Sequence, residues 1–265
     1  MKAVVFDLDD TLLHDDLTIS DYSVRVFRSL HEKGFAVIAA SGRAQPSMKP
    51  YVDQLACVDA YISCNGAEIW DGVSHCLIHS ELFPVDTALE IVRFGEKRNC
   101  YMQTYEGNCF FFNRYGIYEK KYAFSSKLTG VYVGSLSQYI RKPRNKILMM
   151  DEEPRIAEMY SEAKILFSGK ASVTCSKPYY LEFNPLRASK GIALEAVAGF
   201  LNIRTDDIIA FGDSLNDLSM LKTAGFAVSV SNGWKEIRPW CDDICESNNL
   251  DGPAHYLFDH YLSEG

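Results

Sequence analysis

No stretch of about 20 consecutive apolar residues occurs in the 265-residue chain, so the sequence carries no candidate membrane span. Its start, Met1-Lys2-Ala3-Val4-Val5-Phe6-Asp7, meets an acid before an apolar export signal can develop, and a soluble cytoplasmic protein is the expectation. No CxxC pair occurs among Cys57, Cys64, Cys76, Cys100, Cys109, Cys175, Cys241 and Cys245. That argues against a zinc site or a secreted disulfide framework, and reduced thiols, mostly in the core, are expected instead. Positive charge is also in short supply: 27 Lys and Arg face 35 Asp and Glu, for a formal charge of −8. Such a balance disfavours nucleic acid or an anionic membrane surface as partner. Repeats and low-complexity segments are absent, and the six histidines share no spacing suited to a metal. What is present is a chain 47% apolar, long enough for one large domain or two modest ones.

The first apolar run, Ala3 to Leu8, is short, continuous and closed by acids, as in a central parallel strand buried on both faces. Ser20 is placed to cap a helix running to Lys33, with Gly34 as its stop. Phe35–Ala40 reads as a second strand, Gln45–Leu55 as a helix and Ala60–Cys64 as a third strand. This β-α-β-α-β order signals a parallel sheet with helical crossovers. The alternation returns with a helix over Lys190–Leu201, a strand over Asp207–Phe211, a helix over Asn216–Thr223 and a strand over Phe226–Val230. A short helix around Trp234–Trp240 and a last one near Pro253–Leu262 follow. Residues 81–183 differ in texture, with two predicted helices, Val85–Arg98 and Glu153–Lys164. Around them lie strands rich in aromatic and β-branched residues, and Asp71-Gly72 and Glu106-Gly107-Asn108 suit hairpins. The expected architecture is α/β: a Rossmann-like parallel sheet core, residues 1–80 and 184–265, interrupted by an α+β cap, residues 81–183.

Ligands of open parallel sheets bind outside the carboxyl ends of the strands. Three such ends carry Asp7-Leu8-Asp9-Asp10-Thr11, Ser41-Gly42-Arg43 and Gly212-Asp213-Ser214-Leu215-Asn216-Asp217, and Lys190 opens the helix before the last of these strands. Asp7, Asp9 and Asp213 brought together would be a costly cluster of like charges without a cation. A hard, oxygen-liganded ion such as Mg²⁺ suits them, and it would also draw in a phosphate dianion. Asp7 can then attack phosphorus to give an aspartyl phosphate, while Asp9 protonates the leaving oxygen and later activates water. Lys190 and the Ser41 hydroxyl would hold the phosphoryl oxygens, with backbone N–H groups around Leu8 and Gly42 completing the cradle.

The sequence resembles the haloacid dehalogenase-like phosphatase superfamily, and within it the Cof-type hydrolases with a large C2-type cap. The matching stretches are Phe6 to Leu13, Ala40-Ser41-Gly42-Arg43, Cys64-Asn65-Gly66-Ala67, Ser189-Lys190-Gly191 and Phe211 to Met220. The resemblance implies Asp7 as nucleophile and Asp9 as acid/base. It implies metal binding by Asp7, by the Asp9 backbone oxygen and by Asp213, and phosphate contacts from Leu8, Ser41, Gly42, Lys190 and Asn216. Asp217 corresponds to a supporting carboxylate. The sequence departs from the pattern at Asp10, where glycine is usual, and at Ser231-Asn232-Gly233 in place of Gly-Asn-Ala. Asn249-Leu250-Asp251-Gly252 resembles a closing structural motif of the family.

Residues 81–183 hold 15 Lys and Arg against 12 Asp and Glu, and the rest of the chain 12 against 23. A mildly basic cap over an acidic floor would suit an anionic substrate. The densest basic run, Arg141, Lys142, Arg144 and Lys146, reads either as part of that device or as a solvated loop. About half of the aromatics Tyr101, Tyr105, Phe110, Phe111, Phe112, Tyr132, Tyr179 and Tyr180 should belong to the cap's own core, because alternate strand residues face opposite sides. The reading is a Mg²⁺-dependent phosphatase of a small phosphorylated metabolite, such as a sugar phosphate, pyridoxal phosphate or flavin mononucleotide, acting as monomer or homodimer. Its alternatives are a phosphoacceptor or phosphate-binding module without turnover, and a phosphomutase. The second acid, Asp9, favours hydrolysis over the first alternative.

Overall fold

The computed structural model describes residues 1–263; the last two residues of the expected core segment 184–265 lie outside them. The elements run Ala3–Phe6 (β1), Asp21–Glu32 (α1), Ala36–Ala40 (β2), Gln45–Leu55 (α2), Ala60–Ser63 (β3), Glu68–Asp71 (β4) and Leu77–Ser80 (β5). Next come Val85–Glu96 (α3), Tyr101–Glu106 (β6), Cys109–Phe112 (β7), Ile117–Ser126 (α4), Thr129–Tyr132 (β8), Leu136–Tyr139 (α5), Ile147–Met150 (β9), Glu153–Leu166 (α6), Ala171–Thr174 (β10) and Tyr180–Pro185 (β11). The chain closes with Lys190–Phe200 (α7), Ile208–Gly212 (β12), Leu218–Thr223 (α8), Phe226–Val230 (β13), Asp243–Cys245 (β14) and Gly252–Leu257 (α9). This is a mixed α/β fold. No described helix is long and apolar enough to cross a membrane.

Eight strands form the first sheet in the order β14-β13-β12-β1-β2-β3-β4-β5. The pairs from β14 to β3 are all parallel, and β4 and β5 add an antiparallel edge hairpin. β1 sits between β2 and β12, and all four of its residues are buried. Each fully buried Val or Phe side chain contributes roughly 1.5–3 kcal/mol relative to exposure. The alternation within β1 splits its side chains: Val4 and Phe6 join the core beneath α1 and α2, and Ala3 and Val5 join the core beneath α7. Ser20 caps α1 by accepting from Ser23 N, and Gly34 at φ 89° follows it in a conformation that glycine adopts without strain.

The second sheet has the order β10-β11-β9-β6-β7-β8 and comes entirely from residues 101–185. The turn Glu106-Gly107-Asn108 joins β6 to β7 with Gly107 at φ 56°. Two helices predicted for this segment are present as α3 and α6; α4 and α5 are additional. One face packs under α3 and α6 in a core that includes Phe83, Met149 and Phe183. The other buries Tyr101, Tyr105, Phe110, Phe112 and Tyr122 together. Four of the eight aromatics singled out in sequence are thus buried against the second sheet. All eight cysteines are free thiols, with Cys57, Cys64, Cys100, Cys175 and Cys245 buried.

Candidate active site

β1 delivers Asp7 at its carboxyl end, where the backbone leaves the sheet in a tight turn over Leu8–Leu12. Within that turn Asp10 takes φ 59°, the left-handed conformation that glycine would supply freely and that aspartate tolerates. The substitution of glycine by Asp10 therefore keeps the turn intact. Asn232, in the departing Ser231-Asn232-Gly233 segment, donates to Asp10 O at 2.8 Å, while Trp234 N donates to Asp213 O at 2.7 Å. The loop after β13 thereby fixes two of the strand ends.

β12 ends in Gly212-Asp213, and a turn brings Asp217 back beneath it. Asp217 Oδ2 accepts from the backbone N–H groups of Asp213 and Ser214 at 2.9 and 3.1 Å. Gly212 has to be glycine here, because a Cβ would lie 2.7 Å from that of Asp217. Carboxylate oxygens of Asp7, Asp213 and Asp217 lie within 4.8 Å of one another, all three residues being buried. Thr11 Oγ1 donates to Asp213 at 3.2 Å. Lys190, fully buried at the start of α7, donates to Asp7 at 2.6 Å and to Asp217 at 2.5 Å.

One ammonium among three buried carboxylates leaves an excess of negative charge. Burial pushes the Asp7 carboxyl up to about 8 against the pull of Lys190, with Asp217 and Asp9 pushing it further. Asp213 is driven well above its ordinary value by burial and by Asp217 and Asp7. The all-oxygen donor set fits a hard divalent cation, which would let these acids ionise together.

The Asp9 carboxylate does not join this cluster. Arg43 grips it with Nε and one terminal nitrogen, both at 2.7 Å. Burial raises the Asp9 pKa, but the Arg43 charge and hydrogen bonds outweigh it, so Asp9 is held below the usual carboxylate value. The remaining Arg43 nitrogen donates to Ser47 Oγ at 2.9 Å and to the Ser125 carbonyl of α4 at 2.8 Å. Arg43 therefore connects the acid of the first strand end to a helix of the second sheet's segment.

A cavity of ≈ 120 Å³ lies over these groups, bounded by both sheets' loops. Asp7, Asp9, Ser41, Gly42 and Asn216 line it from below. Leu8, Lys190, Asp213 and Asp217 are behind that surface: the Leu8 side chain is core, and Lys190 is used in pairing acids rather than lining the cavity. From above come Lys121, Tyr122, Lys146, Lys177, Tyr180 and Glu182. Lys146 and Glu182 form a buried ion pair, and Lys146 also donates to Gly42 O at 2.7 Å. Lys177 lies 3.3 Å from Asp10.

Of the basic run read in sequence, Lys146 alone borders the cavity. Lys142 and Arg144 pair with Glu106, and Arg141 donates to nearby carbonyls. The solvated-loop reading suits Arg141 and Lys142. Lys121, Lys177 and Glu182 carried no motif signal, since only the fold assembles them. Among the aromatics singled out, Tyr180 reaches the cavity.

A sequence description of the haloacid dehalogenase-like hydrolases matches residues 4–257. The chain belongs to that family. It is 26% identical over 254 residues to the 5-amino-6-(5-phospho-D-ribitylamino)uracil phosphatase YcsE of Bacillus subtilis, covering 96% of this chain and 93% of that one. It is 24% identical to the HMP-PP phosphatase of Serratia proteamaculans, covering 98% and 95% of the two chains. A haloacid dehalogenase-like hydrolase from Bacteroides thetaiotaomicron superposes with a TM-score of 0.86 at 26% identity, covering 98% and 99% of the two chains. One from Bacillus subtilis has the same fold, with a TM-score of 0.89 at 24% identity over 99% and 100%.

Proposed function

We propose that this hydrolase is a cytoplasmic Mg²⁺-dependent phosphoric monoester hydrolase that acts on a small phosphorylated metabolite through an aspartyl-phosphate intermediate. The observation that carries the reading is the convergence of Asp7, Lys190, Asp213 and Asp217 under a cavity that also exposes a separately held acid, Asp9. Named phosphatases among the relatives support the reaction class.

In this account Asp7, Asp213 and the Asp9 backbone oxygen would hold the metal, with Asp217 in support. When bound, the cation would neutralise charge on the carboxylates and the phosphate. An Asp7 carboxylate oxygen forms the new bond to phosphorus as the ester P–O bond breaks. Paired with Arg43, Asp9 is ionised, so it has to leave that contact and take a proton from solvent before it can pass that proton to the departing alcohol oxygen. Asp9, now ionised, takes a proton from water as that water attacks the phosphorus of the aspartyl phosphate, which frees inorganic phosphate and restores Asp7. Lys190 orients Asp7 and pulls against the burial that favours its neutral form. Ser41, Asn216 and the backbone at Leu8 and Gly42 bind the phosphoryl oxygens.

Residues 81–183 act as the cap, and residues 1–80 with 184–265 as the core. The ≈ 120 Å³ cavity is smaller than the roughly 300–1,000 Å³ of most small-molecule sites, so a metabolite requires the cap to lift. Asp9 separates this reading from a phosphoacceptor, because an acid aimed into the cavity promotes hydrolysis. Release of phosphate from an aryl phosphate, with and without Mg²⁺, tests it: activity that needs Mg²⁺ is expected, and full activity after chelation contradicts the metal's role.

A further inference from the structure

A second cavity, of ≈ 300 Å³, adjoins the first at Asn216, which lines both. Its character is the reverse of the first. Among the described residues no carboxylate lines it; its polar surface includes Asn65, Asn184, Ser172, Thr174, Ser219 and Lys222. Asn184 is 1% exposed, and neither of its amide atoms has a hydrogen-bond partner. Asn65 is 3% exposed, and its Nδ2 is likewise unpartnered. Buried amides left without partners are uncommon, because each costs about 1–3 kcal/mol.

These groups are placed between the site and the outside of the fold. Asn65 Oδ1 accepts from Asn216 Nδ2 at 3.0 Å, so this amide pair stands at the junction of the two cavities. The same Asn65 oxygen lies where it would be 2.9 Å from a Cβ on Gly42, which places Asn65 beside the phosphoryl cradle. Ser172 of β10 is directly opposite Asn184 of β11 in the register, so a hydroxyl and an unpartnered amide share one wall. Ser189, the cap residue of α7, and Leu218, Ser219 and Lys222 of α8 form the other side.

From this placement we propose that the second cavity is a transit site for inorganic phosphate released by the reaction. The inference rests on the phosphatase reading. A phosphate freed beside Asp7, Asp9 and Asp213 is repelled by those carboxylates. Beyond Asn216 it meets amide and hydroxyl donors without an opposing carboxylate. Rotation of the Asn65 and Asn216 amides would pass the ion from one set of donors to the next, and Lys222 at the rim adds a cation on the way out.

Equilibrium dialysis of [³²P]phosphate against the Mg²⁺-loaded protein tests the site directly. The wild type is expected to bind two phosphates per chain and Asn184→Leu one. Asn184→Leu keeps the side chain's shape and removes an amide that has no partner, so folding should be little affected; Ser172→Ala, which should weaken the second phosphate about tenfold, serves as an independent variant. Beryllofluoride on Asp7 should leave one phosphate on the wild type and none on Asn184→Leu. A single phosphate on the wild type, or two undiminished on both variants, overturns the transit site. Absence of aryl phosphate hydrolysis by a wild type that binds two phosphates would instead contradict the phosphatase reading and leave an oxyanion site.

Discussion

Arg43 holds the Asp9 carboxylate with two hydrogen bonds of 2.7 Å while donating to the Ser125 carbonyl of α4. The proposed acid/base is thus oriented by a guanidinium that also touches the cap. Replacing Arg43 by Met should lower kcat by about 10–100-fold, a part of the roughly 10²–10⁴ that a positioned acid/base contributes. Arg43→Lys should not restore it, since an ammonium cannot make the two-pronged contact. Steady-state kinetics of the two variants on an aryl phosphate checks this, and full activity in Arg43→Lys would refute the positioning role.

The carboxylate cluster predicts a metal signature in stability as well as in rate. Mg²⁺ at 100 times its Kd should stabilise the wild type by about 2.7 kcal/mol, since binding to the folded state alone shifts unfolding by mass action. Asp213→Asn, which removes a charge from the cluster, should lose most of that shift. Thermal melts with Mg²⁺ and with a chelator decide the matter: equal shifts in both proteins would place the metal elsewhere.

Asp251 ties the chain's end to its beginning. Its Oδ1 accepts from Ser20 Oγ at 2.7 Å, from Ser23 Oγ at 2.9 Å and contacts His14 Nε2 at 3.0 Å. Burial raises its pKa, but the hydrogen bonds from Ser20, His14 and Ser23 outweigh that, so the folded value is depressed. A depressed folded pKa gives stability that is fully present above the unfolded value of about 3.9 and is lost as pH falls toward the folded one. Denaturant titrations should therefore show Asp251→Ala less stable than wild type by about 2 kcal/mol at neutral pH, with the gap closing below about pH 4. Asp251 also sits at φ 52°, which asparagine accepts, so Asp251→Asn should cost less than Asp251→Ala.

The cap's cations should divide by position. Lys177 lines the cavity, and Lys177→Ala is expected to reduce kcat/KM by about tenfold. Arg141 and Lys142 lie on the solvated loop, and their joint replacement by Ala should change it by less than about twofold. A larger loss in the Arg141 and Lys142 variant than in Lys177→Ala would revive the basic run as a binding device.

Much of the core was legible because its signals are local. Ser20 and Gly34 bracket α1, Gln45–Leu55 was read with the bounds of α2, and strands closed by acids or by Ser41-Gly42-Arg43 ended where the chain meets the cavity. The cap was harder. In α4 the buried positions include Glu119, Tyr122 and Ser126 while Ile117 and Phe124 face solvent, so apolar periodicity gave no helix signal. The short edge strand β8, Thr129–Tyr132, is mostly exposed and lacks an alternating pattern. At the site, the motifs marked Asp7, Ser41, Lys190 and Asp213. The grip of Arg43 on Asp9 and the pairing of Lys146 with Glu182 join residues 34 and 36 positions apart, contacts that register and topology decide.

The central claim is that Asp7 carries the phosphoryl group. Acid quenching during turnover of an aryl phosphate, followed by mass analysis of the N-terminal peptide, tests it most directly. Phosphate should be found on Asp7 in the Mg²⁺-loaded wild type and be absent, together with turnover, in Asp7→Asn. Phosphate release by Asp7→Asn at the wild-type rate would contradict the account.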